Sequence, residues 1–114
     1  MLVQMTEDSQ LPLKKTAANL QRGFESVGGT LTLTSGALRF ESHPLNLQRG
    51  STEVDLQRIV TIKPAKAMFF GLLPISDTAF VVTLADETEY RFIVRGRDEW
   101  MKAIAGAIEA QHHA

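Results

Sequence analysis

"GGTLTLTSGALRFES", Gly28–Ser42, reads as two strands around a short turn. Leu31 and Leu33 share one parity of its first half, and Thr30, Thr32 and Thr34 occupy the other. Leu38 and Phe40 repeat the pattern in the second half, with Arg39 facing away. A period of two marks a half-buried strand. The turn falls at Thr34–Leu38, with Gly36 expected at positive φ. The preceding Val27–Gly29 is expected to be a tight connection.

The same period extends outward. In "KKTAANLQRGF" (Lys14–Phe24), Ala18, Leu20 and Arg22 share a parity, and Gly23 permits a bend. On the other side, His43–Gly50 reads as a loop. "STEVDL" follows with Val54 and Leu56 inward and Glu53 and Asp55 outward. "RIVTIKP" (Arg58–Pro64) is a β-branched strand expected to end at Pro64. "TAFVVTL" places Phe80, Val82 and Leu84 on one face. "ADET" is a turn, and "TEYRFIV" places Tyr90, Phe92 and Val94 inward. After Gly96 the period changes. Trp100, Ile104 and Ile108 recur every four residues, with Met101 and Ala105 alongside, as one stripe of a helix. Asp98 and Glu99 suit its first turn, and His112 and His113 lie near its far end.

The expected fold is therefore mainly β: about seven antiparallel strands in a partly open barrel of two packed sheets, capped by one C-terminal helix. Residues 1–13 are expected to be an N-terminal tail and residues 14–112 a single domain. The 114 residues suffice for one core. Hydrophobic residues make up 44% and charged residues 22%, a globular balance. The net charge of -1 provides no bulk field for nucleic acid. The absence of cysteine excludes disulfides and thiolate metal sites, and fits a cytoplasmic setting. No signal peptide is expected, and no apolar run reaches the roughly 20 residues that span a bilayer, so membrane contact would be peripheral, at the inner surface.

The order of these pieces resembles the GRAM domain, a branch of the pleckstrin-homology superfold. The resemblance rests on "GGTLTLTSGALRFES", "EVDLQRIVTI" and "YRFIVRGRDEW", and covers Lys14 to Ala110. It implies a membrane-associated or protein-binding module without catalysis of its own. One departure is Asp86-Glu87, where the family often has Asp-Gly. Glu is poor at positive φ, so a longer or different turn is expected there.

No catalytic constellation is legible. Ser35 lies in a hairpin without the first glycine of a nucleophile elbow. "VGGTL" lacks the Gly-Lys-Ser/Thr of a phosphate loop. His43 has no spaced partner, and the adjacent pair His112-His113 does not enclose a metal. The chain is read as a non-enzyme without cofactor or metal. A headgroup pocket at the first hairpin is also poorly supplied: Lys14, Lys15 and Arg22 are basic, but Glu25 is acidic and the next strand has no cation. For Arg91, Arg95 and Arg97 the expectation is cross-strand charge pairing, and for Trp100 a place in the core.

The candidate site is "KPAKAMFFGLLPIS", Lys63–Ser76, expected to connect two strands. It joins Lys63 and Lys66 to Met68, Phe69, Phe70, Leu72 and Leu73. Between Leu56 and Ser76, Arg58 is the third basic residue and no residue is acidic. Each lysine near an anionic bilayer contributes on the order of 1 kcal/mol. Each large apolar side chain removed from water contributes about 1.5–3 kcal/mol. Three readings are open: contact with anionic lipid, contact with a protein or a second copy, and burial within the monomer.

Overall fold

Period-two alternation yields seven strands in a computed structural model that describes residues 11–23, 25–42, 51–69 and 73–112, with only the backbone of 68, 69 and 73–77. The strands are β1 (Lys14–Arg22), β2 (Glu25–Leu33), β3 (Ala37–Ser42), β4 (Ser51–Asp55), β5 (Ile59–Phe69), β6 (Leu73–Leu84) and β7 (Glu89–Val94). A 3-10 turn, Leu56–Arg58, separates β4 from β5, and among the described residues one helix, α1 (Arg97–His112), follows β7. All neighbours are antiparallel, in the order β4-β3-β2-β1-β7-β6-β5. The seven therefore form one continuous sheet rather than the two expected. That sheet is strongly curled. Phe40 on β3 and Phe92 on β7 are three strands apart, about 14 Å on a flat sheet, yet their ring centroids are 6.2 Å apart.

The concave side holds the core. Leu20, Leu31, Leu33, Leu38, Phe40, Val54, Phe80, Val82, Phe92 and Val94 are buried as their parity requires, with Leu56 from the 3-10 turn. Tyr90 is only half-buried, beside Phe92. α1 fills the open end of the curl. Trp100, Ile104 and Ala107 are its buried residues, flanked by half-buried Met101, Ala103 and Ile108. Ala105, assigned to this stripe by the sequence pattern, is exposed, because the face turns toward positions three rather than one residue beyond Ile104. The first turn of the helix carries Asp98 and Glu99, and at its far end Gln111 Nε2 donates to the Ser35 carbonyl of the β2–β3 turn, 3.0 Å.

Several local expectations are corrected. Val27–Gly29 is not a connection but part of β2, with Val27 opposite Leu20 and Gly29 opposite Ala18. The bend is at Gly23, φ 55°. Gly36 has no positive φ. The Thr34 hydroxyl shapes that turn instead, accepting from the N–H groups of Gly36 (3.3 Å) and Ala37 (3.1 Å), which satisfies a buried side chain. Pro64 does not end β5. It sits inside the strand opposite Phe80, and β5 is a terminal strand whose outer side needs no N–H donor. Leu11 and Leu13 are exposed. His43 and His113 lie outside the described residues.

The Asp86-Glu87 turn is longer than a two-residue Asp-Gly hairpin, since residues 85–87 form a three-residue loop between Leu84 and Thr88, and it keeps a positive-φ position. Glu87 itself occupies it, at φ 71°. Glu87 N–H donates to Leu84 O and Leu84 N–H to Thr88 O, both 2.9 Å. Hydrogen bonds from the Thr88 side chain and backbone hold the Asp86 carboxyl below its usual range, with Arg58 adding a weaker contribution at 3.6 Å. A side chain in this backbone region costs roughly 1–2 kcal/mol, partly offset by the entropy glycine loses on folding. Glu87→Gly should therefore stabilise the domain by about 0.5–1 kcal/mol, read as a raised urea midpoint at unchanged slope.

Candidate functional site

Lys63–Phe69 and Leu73–Ser76 are not loop but the outer parts of β5 and β6, paired as a hairpin. The ladder runs from Lys63 opposite Val81 to Phe69 opposite Leu73. Phe70 and Leu72 lie outside the described residues. Lys63 and Lys66 are exposed, and Ala67 between the apolar and basic parts is buried. Met68, Phe69 and Leu73 are placed by backbone register alone.

The hairpin outruns β7. β7 pairs with β6 only from Ala79 to Thr83, and with β1 only from Ala18 to Gln21. Leu73–Thr78 thus continues beyond β7, and so does Lys14–Ala17 at the same end. At about 3.3 Å per residue, six residues make an arm of roughly 20 Å. The β1–β2 and β6–β7 turns lie at the opposite end. Arg58 stands there too, beside Asp86, so it does not join Lys63 and Lys66 at the arm.

Two irregularities mark the base of the arm. Register slips occur between Ala65 and Ala67 and between Ala67 and Met68. Such bulges leave backbone groups without ladder partners. Here guanidinium groups meet them. Arg91 Nη1 donates to Lys66 O, 2.7 Å, and Arg97 Nη1 donates to Ala65 O, 3.0 Å, and to Ala79 O, 3.4 Å. The cross-strand charge pairing expected of these arginines is therefore not their main contact, though Arg97 Nε also stands 3.6 Å from Asp98. Their role was not visible in the sequence, since carbonyl acceptors 25 and 32 residues away leave no local pattern.

At the other end the first hairpin gathers little positive charge. Lys14 and Arg22 terminate opposite ends of the nine-residue β1, about 26 Å apart, and cannot meet on one ligand. Arg22 donates to Thr52 Oγ1, 3.0 Å, and faces Glu25 in the register. Lys14 Nζ instead lies 5.4 Å from the Trp100 ring centroid. Among the described residues no three acidic or histidine side chains gather as a metal site, and no helix is long and apolar enough to cross a membrane.

One curled sheet in this strand order, closed by one C-terminal helix, has solved counterparts. The fold is that of a pleckstrin-homology domain. The N-terminal PH domain of human ARAP2 superposes with a TM-score of 0.62 at 13% identity, over 86% of this chain and 80% of that one. The C-terminal domain of an unknown protein from Leishmania infantum matches at 0.71 and 16% identity, over 95% and 98%. The Slm1 PH domain, solved with inositol-4-phosphate, matches at 0.57 and 14% identity, over 84% and 92%. No protein-family model and no curated protein matches the chain in sequence. At these identities the likeness to PH domains is one of fold.

Proposed function

We propose that this chain is a non-catalytic binding module of GRAM type, making reversible peripheral contact with anionic lipid on a cytoplasmic membrane surface. The contact runs through Lys63, Lys66, Met68, Phe69, Phe70, Leu72 and Leu73. The observation that carries this reading is the arm itself: a hairpin that extends past β7, with exposed Lys66 at its base, exposed Lys63 just before it, and an apolar sequence toward its tip. Apolar insertion of one or two side chains, at about 1.5–3 kcal/mol each, together with two lysines at about 1 kcal/mol each, suits weak, salt-sensitive attachment. Slm1, with the same fold, holds inositol-4-phosphate in one structure and phosphoserine in another. That kinship of fold supports a binding task without choosing the ligand.

Co-sedimentation with phosphatidylcholine vesicles, with and without phosphatidylserine, tests the reading. The expected result is binding only to the anionic vesicles, weakened by salt, and reduced at least about tenfold in a folded Phe69→Ser/Phe70→Ser variant. Equal binding by that variant would overturn the lipid contact. So would no vesicle binding together with a concentration-dependent mass, which would assign the arm to self-association. A variant that does not fold would assign it to the core.

A further inference from the structure

The charge distribution along the strands points to more of the surface than the hairpin. At the end where the arm projects, β1 begins with Lys14 and Lys15, and β7 leaves the sheet through Arg95. Lys66 stands on the arm of the same end. Lys15, Lys66 and Arg95 are exposed, and none forms an ion pair with another described residue. Among the described side chains, Asp98 and Glu99 in the first turn of α1 are the acidic groups nearby. Among the described residues the opposite end has the reverse balance. Its turns carry Glu25, Asp86, Glu87 and Glu89 against Arg22 and Arg58, and Arg58 is already drawn to Asp86.

Lys15 and Arg95 also share a side of the sheet. Lys15 has the outward parity of Ala17 and Asn19, whereas Ala18 and Leu20 face the core. Arg95 lines an open hollow of about 350 Å³ together with Ala17, Asn19, Thr78 and Ile93. This hollow lies in the gap that β7 leaves between β1 and β6 beside the arm. A bilayer met by the apolar tip would come toward the same end, where unpaired cations lower the energy of phosphate groups.

We infer that Lys15 and Arg95, residues remote in sequence from the hairpin, are further headgroup contacts, and that this end of the domain, not the end with the β1–β2 turn, faces an anionic membrane. The inference rests on the lipid reading above and adds an orientation to it. An acidic turn end and a basic arm end make the molecule an electric dipole, which a negative surface aligns before contact. The net charge of -1 conceals this polarity.

The test uses the full chain and phosphatidylcholine vesicles containing phosphatidylserine, at low and at physiological salt. Lys15→Glu/Arg95→Glu is compared with Arg22→Glu at the other end, each checked for folding by circular dichroism. The expected result is a loss of roughly thirtyfold or more in vesicle affinity for the double variant, and no loss for Arg22→Glu. Native-like binding by the double variant would overturn the inference while leaving the hairpin reading intact, provided Phe69→Ser/Phe70→Ser still abolishes binding. Loss in Arg22→Glu as large as in the double variant would overturn the orientation. Failure of the native chain to bind would overturn both. If Lys15→Glu/Arg95→Glu does not fold, Lys15→Gln and Arg95→Gln, measured singly, are expected to lose about fivefold each, and native affinity in both would count against the proposal.

Discussion

Trp100→Ala should lower the unfolding free energy by about 3–5 kcal/mol, a large part of what a domain of this size possesses. Trp100 has no exposed surface and sits where α1 closes the curled sheet. Truncation would leave a cavity bordered by residues of a continuous core, and those residues belong to strands that cannot collapse independently. The indole also contributes a polar contact, Nε1 donating to Thr16 Oγ1 at 3.2 Å, and offers its face to Lys14. Trp100→Phe keeps much of the volume but loses the hydrogen bond, so it should cost clearly less than the alanine variant. Urea unfolding followed by far-ultraviolet circular dichroism measures both. Equal midpoints for native and Trp100→Ala would mean that the helix does not close the core.

Gly29→Ala is expected to cost about 3 kcal/mol, at the upper end for overpacking, although it adds one methyl group. A Cβ built at Gly29 runs into the carbonyl oxygen of Glu41, and lies 2.8 Å from Phe40 Cζ and 2.9 Å from the Glu41 carbonyl carbon. Two of these atoms are backbone of the adjacent β3, so no rotamer change relieves the contact. β2 and β3 would have to separate where Gly29 opposes Ser42. Gly106→Ala is the matched control. Nothing lies within 4 Å of its would-be Cβ, and in a helix interior the substitution should stabilise by about 0.5–1 kcal/mol. The same chemical change thus has opposite signs at the two positions, and urea midpoints moving in the same direction would contradict the close approach of β2 and β3.

That glycine also shows where sequence and fold part. The Leu31–Leu33 and Leu38–Phe40 alternation was legible because one face of each strand is buried and the other is not. Trp100 and Ile104 were legible for the corresponding helical reason. Gly29 reads as turn punctuation, yet it lies mid-strand because a neighbouring strand passes too close for a side chain. Pro64 reads as a stop, yet a terminal strand tolerates it. Lys63–Ser76 reads as a connection because its bulges break the period of two. Its basic and apolar composition was visible; its extension past β7, and the guanidinium groups beneath it, depend on contacts distant in the chain. Lys14 and Lys15 were grouped with Arg22 by proximity in sequence, whereas an extended strand carries them to opposite ends.

The position of β5 at the margin of the sheet has a consequence for solubility. Eleven residues of strand with one side unpaired among the described residues are a template on which another chain can form a ladder. Pro64 removes one donor from that template, the register slip at Val60 distorts it, and Lys63 and Lys66 place like charges in the way of a second copy. The features proposed to meet lipid would then also keep free domains apart, so neutralising both lysines should raise the tendency to aggregate as well as weaken attachment.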